Sequence, residues 1–260
     1  GHRCLAGERP FPLQWLYLLV AGNLVTGKQL LVNLLGTPTL TWQNQPIVIP
    51  RRQARALLYC LAIAMQPVAR DMLLLRLWPD LDDVTGRRNL TRLLNTLRHD
   101  LPHPDILQAT HAAIALNQEL VWSDAATFVD LAAANNTPPW ETAATLIRGP
   151  FLSGFSLPNS AEFDTWQSQQ QHAFERRYLT LLANLVNAHR QRKQLTPAIA
   201  YAQRYLVADD LAEEMHRHLI ELYAQTGDRS AAVRQFEQCV LVLERELGVS
   251  PLPQTRFAYE

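Results

Sequence analysis

The hydrophobic period of this chain changes at Pro50 and changes back near residue 105. Upstream, Leu30–Leu35, Thr39–Trp42 and Ile47–Ile49 are short β-rich runs separated by Gly36-Thr37-Pro38 and Gln43-Asn44-Gln45, the pattern of an antiparallel meander. Downstream, Ala54, Leu57, Leu58, Leu61 and Ala62 recur at helical spacing until Pro67. A second, shorter helix fits Asp71–Trp78, with Leu74, Leu75 and Leu77 apolar and Pro79 just beyond. The third runs from Thr85 to about Asp100 and carries one apolar stripe, Leu90, Leu93, Leu94, Leu97 and Leu101. Ile106–Thr110 and Ala113–Leu116 then flank His111-Ala112 as a β-hairpin, and Leu120–Trp122 reads as a further strand. Three strands, three helices and a hairpin, in that order, outline a winged helix-turn-helix.

The rest of the chain reads as helix. Asp124 caps a helix to about Ala134, and Asn135-Asn136-Thr137-Pro138-Pro139 is the strongest domain boundary in the sequence. A helix starts at Pro138-Pro139, a Gly/Pro/Phe loop covers Gly149–Pro158, and a long helix runs from Ser160 to about Lys193. A repeat of 34 residues follows: Leu185, Val186, Lys193, Ala198, Ile199 and Leu206 align with Leu219, Ile220, Gly227, Ala232, Val233 and Val240. Its second copy, Glu213–Leu247, carries the Gly-Asp-Arg-Ser-Ala-Ala turn of tetratricopeptide repeats. Two copies bury too little for a solenoid, so the long helix is expected to close the stack. The expected fold is mainly α with a small antiparallel β component. Its expected parts are an extension over 1–27, a winged helix over 28–123, a connecting helix and linker over 124–137, and an all-α, tetratricopeptide-like domain over 138–260.

Formal net charge is zero, which at first sight argues against a nucleic-acid partner. The zero is a cancellation: residues 28–123 hold 10 basic and 7 acidic side chains, residues 124–260 hold 12 and 16. Within 51–99 there are nine Arg, four Asp and no Lys. Cys4, Cys60 and Cys239 are widely spaced and odd in number, which fits neither a disulfide framework nor a zinc site and points to a reducing, cytoplasmic setting. The apolar run Leu13–Val25, interrupted by Gln14, Gly22 and Asn23, falls well short of the roughly 20 residues a membrane helix needs. No A-x-A cleavage site follows it, so neither a membrane anchor nor a signal peptide is expected.

The third helix carries the candidate site. Arg88, Arg92 and Asn95 fall at i, i+4 and i+7 on one face, flanked by Arg87, Thr91, Arg98 and His99. Arg pairs bidentately with guanine O6/N7 and Asn with adenine N6/N7 in the major groove, so this face is expected to read double-stranded DNA. Arg51, Arg52 and Arg55, at the start of the first helix, suit backbone phosphates, which position without reading sequence. His111 is the candidate wing residue. Gly22–Gln29 approaches the phosphate loop GxxxxGK[ST], but Gln29 lacks the hydroxyl that holds Mg²⁺ and a strand, not a helix, follows. His216 and His218, two apart, point to different helix faces. No nucleophile elbow or metal spacing is present, so neither enzyme activity nor a cofactor is expected.

Three segments, Arg51-Arg-Gln-Ala-Arg-Ala-Leu-Leu58, Arg70-Asp-Met-Leu-Leu-Leu-Arg-Leu-Trp-Pro-Asp80 and Arg87-Arg-Asn-Leu-Thr-Arg-Leu-Leu-Asn-Thr-Leu-Arg98, resemble the DNA-binding domain of SARP-type (antibiotic regulatory protein) transcriptional activators. Residues 148–256, with Arg148-Gly-Pro-Phe-Leu-Ser-Gly-Phe155 and Glu244-Arg-Glu-Leu-Gly-Val-Ser-Pro251, look like the bacterial transcriptional activator domain that follows it. The resemblance implies an OmpR-type winged helix that binds promoter repeats, with two copies on direct repeats, and an activator that recruits RNA polymerase. It puts Asp80, Asp82 and Asp83 in the loop where such winged helices meet polymerase. Many relatives continue into an ATPase or sensor region; both a short member and the front part of a larger regulator stay open. The competing readings are a protein-interaction adaptor built on the repeat domain and an NTPase built on Gly22–Lys28.

Overall fold

The structure is a computed structural model that describes residues 29–260. The extension, Cys4 and the glycine-rich Gly22–Lys28 segment lie outside the described residues. The chain divides into two compact units, one comprising residues up to Val129 together with Leu152–Trp166, the other Asp130–Phe151 with Gln167–Glu260.

The first unit opens on β1 (Leu30–Asn33), β2 (Thr39–Trp42) and β3 (Gln45–Pro46). Gln43 and Asn44 both have positive φ (50° and 61°), the two-residue hairpin turn that matches strand twist. That turn sets Gln45 opposite Trp42 and Pro46 opposite Thr41. The third strand is therefore not Ile47–Ile49: Pro46 donates nothing to the ladder, only Ile47 N–H still reaches Leu40 O (2.9 Å), and Val48 is left exposed.

Helix α1 (Arg52–Ala64) ends on Met65 in the left-handed conformation (φ 44°). Strand β4 (Val68–Ala69), which sequence reasoning missed, leads into α2 (Arg70–Leu77), and α3 (Asp83–Asp100) follows. On α2 the buried residues are Leu73, Leu74 and Leu77, and Leu75 is exposed. After a single 3₁₀ turn, β5 (Leu107–Ala109) and β6 (Ala113–Leu116) form the hairpin, and β4 pairs with β6 to make it three-stranded. Strand β7 (Val121–Ser123) returns to pair parallel with β1, giving the order β3-β2-β1-β7. The core comprises Leu57, Leu58, Leu61, Leu73, Leu77, Leu90, Leu93, Leu97, Ile106 and Ile114.

Two features tie later residues into this unit. Asp124, at the start of α4 (Asp124–Ala132), accepts the amides of Leu34 (2.7 Å) and Leu35 (3.1 Å). Leu152 and Ser153 donate their amides to Leu34 O (2.9 Å) and Gly36 O (3.0 Å), Phe155 packs edge-on against Tyr59, and Arg76 lies 4.6 Å over the Trp166 ring.

The second unit contains α5 (Thr137–Leu146), α6 (Ala161–Gln191) from Gln167 onward, α7 (Leu195–Ala208), α8 (Glu213–Gln225), α9 (Arg229–Leu247) and α10 (Pro253–Tyr259). The repeat is visible in the backbone: Lys193 and Gly227, aligned by the 34-residue period, both have positive φ (57° and 78°) and both end a helix–turn. Leu185, Val186, Leu219 and Ile220 are buried, and Val186, Ala202, Met215 and Leu219 form one core cluster. Arg204 locks three helices by donating to Ala144 O (2.7 Å) and the Tyr178 hydroxyl (2.7 Å). His216 is held between Asp210 O and Gln235, while His218, its side chain 15% exposed, lies on another face. Among the described residues no cluster of His, Cys, Asp or Glu is arranged to hold a metal ion. No described helix is long and apolar enough to cross a membrane.

Candidate nucleic-acid interface

The α3 helix starts where it does because the Asp82 carboxylate accepts the Thr85 amide at 3.0 Å. That hydrogen bond holds the Asp82 carboxyl below its ordinary pKa. Asp83 in the first turn and Arg98 and His99 in the last complement the helix dipole. Gly86 lies where α2 comes close: a Cβ there meets Leu74 Cδ2 at 3.4 Å.

Burial sorts the helix into two arcs. Leu90, Leu93, Leu94 and Leu97 are buried, and Arg87, Arg88, Thr91, Arg92, Asn95, Arg98 and His99 are exposed. At 3.6 residues per turn those seven span an arc of about 140° centred near Asn95. Arg88, Arg92 and Arg98 have no ion-pair partner among the described residues.

Arg87 is different. Its Nε and Nη2 meet Asp83 and Asp71, each at 2.9 Å, and the hydrogen bond and charge of Asp83, then Asp71, raise its pKa. It fastens the start of α3 to α2. Thr91 donates its hydroxyl to Arg87 O (2.9 Å), leaving that oxygen free only to accept.

Beside this face is a groove of about 480 Å³, bounded by Arg70, Arg87, Thr91, Asn95 and Arg98 on one side and by Ala109, Thr110 and His111 of the hairpin on the other. Helix face and hairpin turn, separate expectations in the sequence, are thus brought together. Arg70 was missed. Its amide donates to Ala112 O (3.0 Å) and its Nε to Thr110 O (3.0 Å), which pins the hairpin turn beside the helix. The only sequence signal was its place after the two-residue strand β4, too short to show a period.

The three arginines of α1 are unlike one another. Arg51 and Arg52 are exposed, and Arg51 Nη2 donates to Gln53 Oε1 (3.1 Å). Arg55 is half-buried, with its guanidinium 5.6 Å over the Phe155 ring. In the acidic loop Asp80 is exposed, while Asp82 caps α3 and Asp83 pairs with Arg87.

Residues 125–260 match the family model of the bacterial transcriptional activator domain. Among solved structures, the fold is similar to that of Mycobacterium tuberculosis EmbR in complex with a low affinity phosphopeptide, with a TM-score of 0.62 at 22% identity over 89% of this chain. This chain spans 64% of that one. A comparison with curated proteins returns no match. The likeness to EmbR speaks for the fold, and the helical part is of the type that the Arg148–Phe155 and Glu244–Pro251 segments resemble.

Proposed function

Because the chain belongs to the bacterial transcriptional activator domain family, a family of transcriptional regulators and not of enzymes, we propose that it is a sequence-specific DNA-binding activator acting in the cytoplasm. The observation that carries this reading is the exposed arc of α3, whose unpaired Arg88, Arg92 and Arg98 surround Asn95 beside a basic groove. In the major groove Arg88 and Arg92 read guanine and Asn95 reads adenine. Arg51, Arg52 and Arg70 supply phosphate contacts, and His111 follows the backbone at the wing. Arg87 acts by positioning, through its ion pairs. Asp80 and the exposed Leu81 offer RNA polymerase a mixed acidic and apolar surface, and two copies on direct repeats account for a promoter-length site.

The test is selection of DNA from a random pool with the full chain, followed by footprinting of the winner. Arg92→Ala is expected to weaken that site by about 1–3 kcal/mol and to relax preference at one base pair. Affinity is expected to fall with salt at a log–log slope of about −0.9 per phosphate neutralised. Equal binding by wild type and variant removes Arg92 from the reading surface. A chain with no duplex binding at low salt is a protein-interaction adaptor instead.

A further inference from the structure

We propose that the cavity where α5 and α7 begin, in the second unit, is a binding site for a small phosphorylated molecule carrying a hydroxyl. It has a volume of about 670 Å³ and is lined by Thr137, Glu141, His189, Arg192, Lys193 and Thr196, among others. This is the size range of small-ligand pockets, roughly 300–1,000 Å³. The inference rests on the second unit alone and does not depend on DNA recognition.

Two helix N-termini face the cavity, and neither is capped by a side chain. Asn136 makes no capping bond to α5 and Gln194 makes none to α7. The repeat sharpens this: position 228, equivalent to 194, is Asp, and its carboxylate caps α9 by accepting the Ala231 amide at 2.9 Å. The start of α7 presents the unsatisfied amides of Leu195 and Thr196 and roughly half a positive charge, an anion-binding arrangement, while α5, with Pro138 and Pro139 in its first turn, adds its dipole without those donors. Arg192 and Lys193 add two full charges, and Glu141 is the one carboxylate opposite. That surplus suits a phosphate monoester, which carries about −1.5 to −2 at neutral pH, better than a single carboxylate.

His189 is the independent observation. It is 4% exposed and lines the cavity, yet its Nε2 is buried without a hydrogen bond. Glu141 Oε1 lies 3.1 Å away at an angle that makes none. The other ring nitrogen is engaged, Nδ1 lying 2.7 Å from Gln194 Oε1, and the ring stacks on Tyr201 with centroids 5.5 Å apart. With Nδ1–H donating to Gln194 Oε1, Nε2 and the Glu141 carboxylate face the cavity with no hydrogen bond between them. A ligand hydroxyl there bridges Nε2 and the Glu141 carboxylate, while the phosphate oxygens take the Leu195 and Thr196 amides of α7 and the Arg192 and Lys193 cations.

The experiment is titration calorimetry and thermal unfolding of the full chain with inorganic phosphate, glycerol phosphate and acetate at constant ionic strength. Saturable binding is expected, glycerol phosphate tighter than phosphate and acetate without effect. In the double variant Arg192→Gln/Lys193→Gly, affinity is expected to fall about tenfold or more, with no loss of unliganded stability. Glycine suits the left-handed backbone at 193, as Gly227 does at the equivalent turn. No saturable response at tens of millimolar phosphate, or an equal response in the double variant, overturns the site. Equal binding of acetate overturns the phosphate assignment, and glycerol phosphate no tighter than phosphate overturns the role of His189 and Glu141.

Discussion

Asp124 is 1% exposed, and both of its carboxylate oxygens accept amides at the end of β1, Leu34 at 2.7 Å and Leu35 at 3.1 Å. Asp124→Ala strands two buried N–H donors. Each stranded donor costs about 1–3 kcal/mol, so their sum is roughly 2–6 kcal/mol. Part of this is offset because a buried carboxylate no longer has to be desolvated, which puts the expected loss at about 2–4 kcal/mol. Asp124→Asn keeps one acceptor oxygen but turns an NH₂ toward the other amide, so it is expected to fall between the two. Against a typical domain stability of about 5–15 kcal/mol this is a large fraction. Urea unfolding gives the magnitude, and hydrogen exchange gives the place: the Leu34 and Leu35 amides should lose protection first. An alanine variant within about 0.5 kcal/mol of wild type, below the cost of even one stranded donor, refutes the reasoning. So does an asparagine variant as stable as wild type.

Two further predictions concern ionisation. Asp82 has a folded pKa below its unfolded value, so its contribution to the start of α3 is present above the ordinary carboxylate range, about 3.9, and is lost as pH falls through the lowered folded value. Asp82→Ala is therefore expected to be less stable than wild type at neutral pH by a margin that narrows in acid, and Asp82→Asn, still a capping residue, to show little of that pH dependence. A margin independent of pH in acid unfolding counts against the cap. The thiols of Cys60 and Cys239 are both pushed up to about 11, chiefly by burial. Iodoacetamide at mildly alkaline pH is expected to leave both peptides unlabelled in the native protein and to label both in urea; fast native labelling of Cys60 contradicts its burial in α1.

The apolar stripe of α3 was legible because it repeats over about three turns and each Leu faces the same core. The hairpin turn at His111 and the turn pair Lys193/Gly227 were legible for a similar reason, since each interrupts a pattern on both sides. What escaped has no local signature. Strand β4 is two residues long, shorter than one strand period needs. The pairing of β7 with β1 joins Val121 to Leu30, and only the third dimension brings them together. Ile47–Ile49 has strand composition, yet the register imposed at Gln43-Asn44 and the missing amide of Pro46 deny it a partner. Of the candidate site, the residues on the α3 face were legible from spacing. The engagement of Arg87 and Arg55 was not: Asp71 and Phe155, 16 and 100 positions away, decide it.

The return of Leu152–Trp166 to the first unit has a consequence for how this chain can be cut or inherited. The polypeptide passes between its two compact bodies at 129/130, 151/152 and 166/167, so no single incision releases either one whole. A fragment ending in the Asn135–Pro139 stretch leaves behind the donors to Leu34 and Gly36 and the ring that covers Tyr59. Along the sequence the segments of the two bodies alternate. Exchange of the first unit without its distant Leu-Ser-Gly-Phe strap leaves behind part of that unit's own hydrogen bonding and core, so the pair is exchanged intact only as one piece.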